Sequence, residues 1–122
     1  MPRFLALFMG SRDSVHQEKW NALAPEEQAR RSAEAMQAWG QWAERNKSAI
    51  HDIGSPLGKT LLASPQGIAP TQNTIVAYVI VEAPSHDAAA LTFKDHPHFS
   101  ISPGTGVEIL QCLPLPGVSA RQ

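Results

Sequence analysis

The sequence predicts a single small α+β domain in which two helices cover one face of a four-stranded antiparallel sheet. Three observations predict it. Apolar runs near residues 3–9, 74–82 and 107–113 have the length and composition of strands. Two helical segments, opening at Pro25-Glu26-Glu27 and at Ser85-His86-Asp87, fall between them. The 122 residues suffice for one core and are too few for two. The order is β-α-β-β-α-β, the split βαβ or ferredoxin-like arrangement.

The first strand covers residues 3–9, apolar except for Arg3, and Gly10-Ser11 breaks it. Ser14 and Gln17 have capping-box spacing and open a short connecting helix through Trp20. The first main helix starts at Pro25, because proline suits the first helical position and Glu26 and Glu27 complement the positive end of the helix dipole. Ala29, Ala33, Met36, Gly40 and Ala43 recur at steps of three and four, with Ala35, Trp39 and Trp42 widening the stripe. That spacing assigns this face to the core, and the helix ends near Asn46-Lys47.

A second strand is expected over residues 49–63, interrupted by a turn or bulge at Gly54-Ser55-Pro56-Leu57-Gly58, and residues 64–73 read as a loop. Thr74 to Glu82 is the most strand-prone run and is apolar on both faces. The second main helix has Ser85 as N-cap and stops at Asp95-His96-Pro97. Residues 101–106 form a Pro/Gly turn region, and residues 107–113 form the last strand. The domain spans residues 1–117, with 118–122 as a frayed tail.

Bulk properties narrow the partners. A hydrophobic content of 43% with 17% charged residues is ordinary globular composition. The net charge of −1 comes from interspersed acids and bases, so no basic stripe fits nucleic acid. No run reaches the roughly 18 apolar residues of a membrane helix, so no membrane partner is expected. The opening apolar run is cut by Ser11-Arg12-Asp13, as suits a buried strand better than a signal segment. Cys112 is the single cysteine, which makes an intrachain disulfide impossible and the cytoplasm the default location. The strand at 74–82 needs cover on both faces, and the helices of so small a domain cover one. A homodimer is therefore expected.

His96-Pro97-His98-Phe99 is the most distinctive local feature. Three readings of its imidazoles stay open: they bond the free carbonyls of the helix end, act as acid and base in a pocket, or share a metal. Chelating pairs on a helix sit three or four residues apart and no third ligand lies close in sequence, so no metal site is expected. His51 and Asp52 are adjacent, and strand alternation sends them to opposite faces, so at most one enters a given pocket. The segment Gly54 to Lys59 lacks the spacing of a phosphate loop, which leaves Ser55 and Lys59 as candidates at a pocket mouth, Lys59 as an anion contact. Trp39 and Trp42 with Tyr78 either line an aromatic pocket between helix and sheet or belong to the core. No activated serine or cysteine motif is present. The candidate pocket thus comprises His96, His98, Asp52, Ser55, Lys59, Trp39 and Tyr78, with no catalytic residue assigned and no cofactor expected.

With these elements in place, the chain resembles the YCII-related proteins of the dimeric α+β barrel superfamily. The resemblance rests on the strand Phe4 to Phe8, the helix preceded by Leu23-Ala24-Pro25-Glu26-Glu27, the Gly54-Ser55-Pro56-Leu57-Gly58 turn, and His96-Pro97-His98-Phe99 before Gly106-Val107-Glu108-Ile109. It implies a dimer whose sheets face each other, with a cleft between sheet and helices in each subunit. The histidine and aspartate proposed for short bacterial members fall near Ala38 and Lys47 here, and the Asp-Gly-Pro-Phe signature of another branch is absent. The resemblance therefore supplies no catalytic pair. Two functions are carried forward. One is a cofactor-free small-molecule enzyme of proton-transfer or lyase type, with His96 or His98 as acid/base and Asp52 or Lys59 orienting an anionic or carbonyl substrate. The other is a non-catalytic small-ligand-binding or regulatory dimer, in which Trp39, Trp42 and Tyr78 surround an apolar ligand. A heme monooxygenase ranks below both for want of an axial ligand.

Overall fold

Strict alternation along the first strand divides the molecule into two sides. In a computed structural model, which describes residues 1–10, 14–99 and 104–116, Phe4, Ala6 and Phe8 of β1 (Arg3–Gly10) are buried, while Leu5, Leu7 and Met9 are only half-buried. β5 (Ile75–Glu82) matches it, with Ala77, Val79 and Val81 buried. The antiparallel register sets Phe4 opposite Val81, Ala6 opposite Val79 and Phe8 opposite Ala77. Directly opposed residues share a face. One face of the sheet is thus the core, and the other presents Leu5, Leu7 and Met9 beside Tyr78 and Ile80.

The fold is α+β with a four-stranded antiparallel sheet, in the order β2-β5-β1-β6. β2 (Ile50–Pro56) and β6 (Gly104–Gln111) form its edges. The helices are α1 (Ser14–Asn21), α2 (Pro25–Arg45) and α3 (His86–Leu91), and a 3-10 turn covers Pro97–Phe99. Proline stands in the first turn of α2, followed by Glu26 and Glu27, as the dipole favours. Ser85 caps α3, its Oγ accepting from the Ala88 N–H at 3.1 Å. The Gln28 Nε2 donates to the Trp20 carbonyl at 2.8 Å and ties the end of α1 to α2. The capping-box side chains of Ser14 and Gln17, the turn at 101–103 and the tail at 118–122 lie outside the described residues.

Three expectations need correction. The second strand does not run from 49 to 63, and residues 64–73 are not a loop. β2 stops at Pro56, and β3 (Thr60–Ser64) pairs with β4 (Gly67–Thr71) as a separate two-stranded hairpin. Its turn at Pro65-Gln66 precedes Gly67, whose φ of +119° suits glycine. Turn residues clustered in sequence had masked two short strands. The core stripe of α2 is also displaced. Ala29, Ala33 and Gly40 are exposed, Met36 is 77% exposed, and the helix buries Trp42 with Ala35, Ala38, Trp39, Ala43 and Asn46 partly covered. Two indoles remove far more apolar area from water than a row of alanines, so they set the helix rotation. Finally, α3 ends at Leu91 and β6 lies at 104–111 instead of 107–113, which lengthens the segment carrying the histidines.

Trp42→Ala should destabilise the protein by about 3–5 kcal/mol, whereas Met36→Ala should change stability by no more than about 0.5 kcal/mol. Urea unfolding of the two variants checks the corrected helix face.

Candidate functional site

The turn that follows α3 drives two imidazoles into the space between helix and sheet. His96 is 1% exposed and His98 is also buried. Aromatic rings surround His96: the Trp39 ring lies 4.3 Å away between centroids, Trp42 4.5 Å, Phe8 4.7 Å and Phe93 6.1 Å. Trp39 is the half-buried member of this cage, while Phe8, Trp42 and Phe93 are buried. The Trp42 Nε1 donates to the Thr92 carbonyl at 3.2 Å and fixes the cage against the end of α3.

Hydrogen bonds set the proton positions. The His98 backbone N–H donates to His96 Nδ1 at 2.9 Å. A ring nitrogen that accepts carries no proton, so neutral His96 holds its proton on Nε2. That Nε2 is buried and has no hydrogen-bond partner. His98 makes a different contact, its Nε2 donating to the Met9 carbonyl at 2.7 Å. Met9 lies where β1 loses regular register with both neighbours, so His98 latches the irregular strand end to the 3-10 turn. The His96 pKa is pushed down to about 4, first by burial and then by the charge of His98. At neutral pH it is therefore an uncharged hydrogen-bond donor in an apolar cage. A neutral imidazole of this kind can polarise a carbonyl or phenolic oxygen, and with Nδ1 occupied it cannot take a proton without losing the His98 bond.

The other candidates lie elsewhere. Tyr78 stands opposite Leu7 and Ser55, on the open face of the sheet, so it does not share a pocket with Trp39 and Trp42. Alternation could not decide this from sequence, because a strand apolar on both faces does not declare which face meets the helices. Asp52 stands opposite Ile80, also on the open side. The register of β2 slips between Ile50 and Asp52, and His51 Nδ1 lies 3.6 Å from Glu82 Oε1. Glu82 alternates with buried Val81, so it too is on the open side, and the bulge brings His51 and Asp52 to the same face. The expectation of opposite faces fails for that reason. A second slip between Asp52 and Ser55 is built on Gly54, whose φ is +70° and whose added Cβ would stand 1.8 Å from the Tyr78 carbonyl oxygen. Asp52 Oδ1 accepts from the Gly54 N–H at 2.8 Å, so this carboxylate holds the turn. Lys59 joins neither group and lies in a hollow at the base of the hairpin lined with Thr60, Leu61, Pro70 and Asn73.

The chain therefore brings together His96, His98 and Trp39, sets Asp52, Ser55 and Tyr78 on the opposite side of the sheet, and leaves Lys59 at the base of the hairpin. Sequence reasoning missed Phe8 and Phe93 as walls of the cage; the aromatic ends of two apolar segments were the available signal. It also missed the pairing of His51 with Glu82, which depends on a bulge. Among the described residues no three His, Cys, Asp or Glu side chains are grouped as metal ligands, and no helix is long and apolar enough to cross a membrane.

No protein-family model matches the chain, and no curated protein matches it. Among solved structures, it is similar to 5-chloro-2-hydroxyhydroquinone dehydrochlorinase from Burkholderia phenoliruptrix in complex with 2,5-dihydroxybenzoquinone. The match has a TM-score of 0.52 at 17% sequence identity and covers 92% of this chain and 94% of that chain. The likeness is one of fold. At that identity no residue role passes from one protein to the other.

Proton linkage at His96 gives a testable pH dependence. The unfolded imidazole binds its proton near pH 6.5 and the native one only near pH 4, so its stabilising contribution is complete above pH 6.5 and is lost as the pH falls toward 4. The loss should reach at most about 3 kcal/mol. In His96→Asn the amide oxygen can still accept from the His98 N–H, but the titration is gone. Urea unfolding at pH 7, 5.5 and 4.5 should show a shallower acid loss in the variant than in the native chain.

Proposed function

We propose that this chain is a YCII-like homodimer of the α+β barrel type that acts on a small, flat, oxygen-bearing molecule without a cofactor, in proton-transfer or lyase chemistry. The observation that carries the reading is the Nε2–H of His96, buried and unpartnered within a cage of aromatic rings. A buried donor left unpaired costs about 1–3 kcal/mol, and an oxygen acceptor brought against it recovers that cost. Flat aromatic walls suit a planar molecule. Trp39 is the wall a ligand can displace, since it alone of the cage rings is half-exposed. His96 then serves as the group that polarises a substrate oxygen, and the proton-accepting group comes from elsewhere, in the substrate or in the partner. The fold shared with a dehydrochlorinase bound to a dihydroxybenzoquinone is compatible with such a substrate. A cytoplasmic location accords with the single, unpaired cysteine.

The open face supports the homodimer. Leu5, Leu7, Met9, Tyr78, Ile80 and Leu110 form a contiguous apolar surface, and covering it with a second copy removes it from water. Leu7→Arg should give a folded monomer by sedimentation and circular dichroism. The second reading, a binding protein without turnover, is favoured by one feature: the occupied Nδ1 of His96 leaves this residue a donor and not a base.

2,5-Dihydroxybenzoquinone is a suitable probe for either reading. Calorimetric titration should detect binding to the native chain, and His96→Asn should weaken it by about 5- to 100-fold. Equal binding by both would remove His96 from the site. Consumption of the probe or of a halogenated hydroquinone by the native protein would separate the enzyme from the binder.

A further inference from the structure

Polar residues cross the open face in a single row, at the end of the sheet where β1 begins. Arg3 stands directly opposite Glu82 of β5. Beyond Glu82 comes His51 of β2, its Nδ1 3.6 Å from Glu82 Oε1. On the other side of Arg3, the Cys112 N–H donates to the Arg3 carbonyl at 3.0 Å, continuing the register in which Gln111 faces Phe4. The order across the sheet is therefore His51, Glu82, Arg3, Cys112. Alternation puts Arg3 on the face of Leu5 and Leu7, and Glu82 on the face of Ile80.

Arg3 is the unbalanced member of this row. Its Nε is buried without a hydrogen-bond partner, and no ion pair among the described residues includes it, although Glu82 is its neighbour. Covering a half-buried guanidinium with a second copy is costly unless that copy brings an opposite charge to it.

Two-fold symmetry offers two ways to lay one open face on another. An axis across the strands sets each strand on its own copy with the ends reversed, so Arg3 falls on the Met9 end of the partner's β1. That end is apolar and leaves the charge unanswered. An axis along the strands keeps the ends together and reverses the strand order, so β1 lies over the partner's β5. Arg3 then lies over the partner's Glu82, and Glu82 lies under the partner's Arg3. Strands about 4.8 Å apart in sheets about 10 Å apart place these four groups in a ring of alternating charge around the axis. Aligned sheets cross at about 30°, an offset that a long arginine side chain spans. Two rows further along, Glu108 stands opposite Leu7 and Ser55 stands opposite Tyr78. The same axis brings Glu108 over the partner's Ser55, a carboxylate over a hydroxyl, whereas the axis across the strands sets it on the partner's Leu110.

We propose that Arg3 and Glu82 pair across the interface between two copies of this chain and so fix its two-fold axis along the strands. The inference rests on the homodimer reading above and adds the charged contact that orients it.

Exchanging charges between chains tests the pairing. Arg3→Glu makes the ring of a homodimer wholly acidic and Glu82→Arg makes it wholly basic, so each variant alone should raise the dimer dissociation constant at least about tenfold in sedimentation equilibrium. Mixed in equal amounts, the two should associate with each other to within about threefold of the native affinity. Mixing could not restore an Arg3–Glu82 pair confined to one chain. Variants that dimerise as tightly as the native chain, or that weaken and do not recover on mixing, overturn the pairing and leave the sheet interface standing. A second measurement keeps the ring intact. His51 is exposed at one edge of the row and Cys112 at the other, and the proposed axis lays each over its counterpart in the partner. Treated with a short bismaleimide, His51→Cys should form a covalent dimer on a denaturing gel, and the native chain and the same variant carrying Cys112→Ser should not. A dimer that lacks this cross-link, or that cross-links through one of the two thiols alone, overturns the axis. A native chain that sediments as a monomer overturns both readings.

Discussion

Most of this structure depends on one mismatch: the two central strands carry apolar side chains on both faces, and the helices lie over only one. β1 and β5 direct Phe4, Ala6, Phe8, Ala77, Val79 and Val81 inward, where Trp42, Ala89 and Phe93 close over them. Leu5, Leu7, Met9, Tyr78 and Ile80 are left on the other side, half-covered. Burial of the inner set supplies the main driving force for folding, since each large side chain removed from water contributes about 1.5–3 kcal/mol. The outer set adds little to the protomer and is the physical reason for expecting a second copy.

The inner side also determines what the histidines can be. A histidine after a helix ordinarily bonds carbonyls in water, and this chain puts that residue under two tryptophans instead. Burial makes the charged form costly, the His98 N–H occupies one nitrogen, and the remaining N–H is left without a partner. His98 divides its roles differently, with its backbone serving His96 and its ring serving the Met9 carbonyl. Two residues alike in sequence thus become a latch and an unsatisfied donor, a difference that arises from which acceptor each ring reaches.

β2 shows how a short irregular strand can separate residues that a regular one would sort differently. Its two register slips send His51, Asp52 and Ser55 to the open side, where the carboxylate of Asp52 is already engaged with the Gly54 N–H. Gly54 is required there because a side chain would collide with the Tyr78 carbonyl. Beyond Pro56 the Leu57 N–H makes one more bond to the Val76 carbonyl, and the chain then leaves the sheet for the separate β3–β4 hairpin.

Sequence by itself determined the elements whose signals are local. Pro25 with its two acids marked the start of α2, Ser85 marked the cap of α3, and the double-sided apolar run at 74–82 marked a central strand needing cover on both faces. Local propensity and periodicity suffice for such features, because each is decided within a few residues. Tertiary structure alone decided which face of α2 is buried, since alanine periodicity competes there with the much larger area of Trp39 and Trp42. It alone decided that Tyr78 lies across the sheet from those tryptophans, because a strand apolar on both sides gives no sign of orientation. It also decided that β2 slips a first time between Ile50 and Asp52, ahead of the bulge expected at Gly54, and that β3 and β4 form a hairpin, through pairings with distant partners that no local pattern encodes. The unpartnered nitrogen of His96 belongs to the same class: it exists only because the aromatic rings of β1, α2 and the segment after α3 meet around one imidazole.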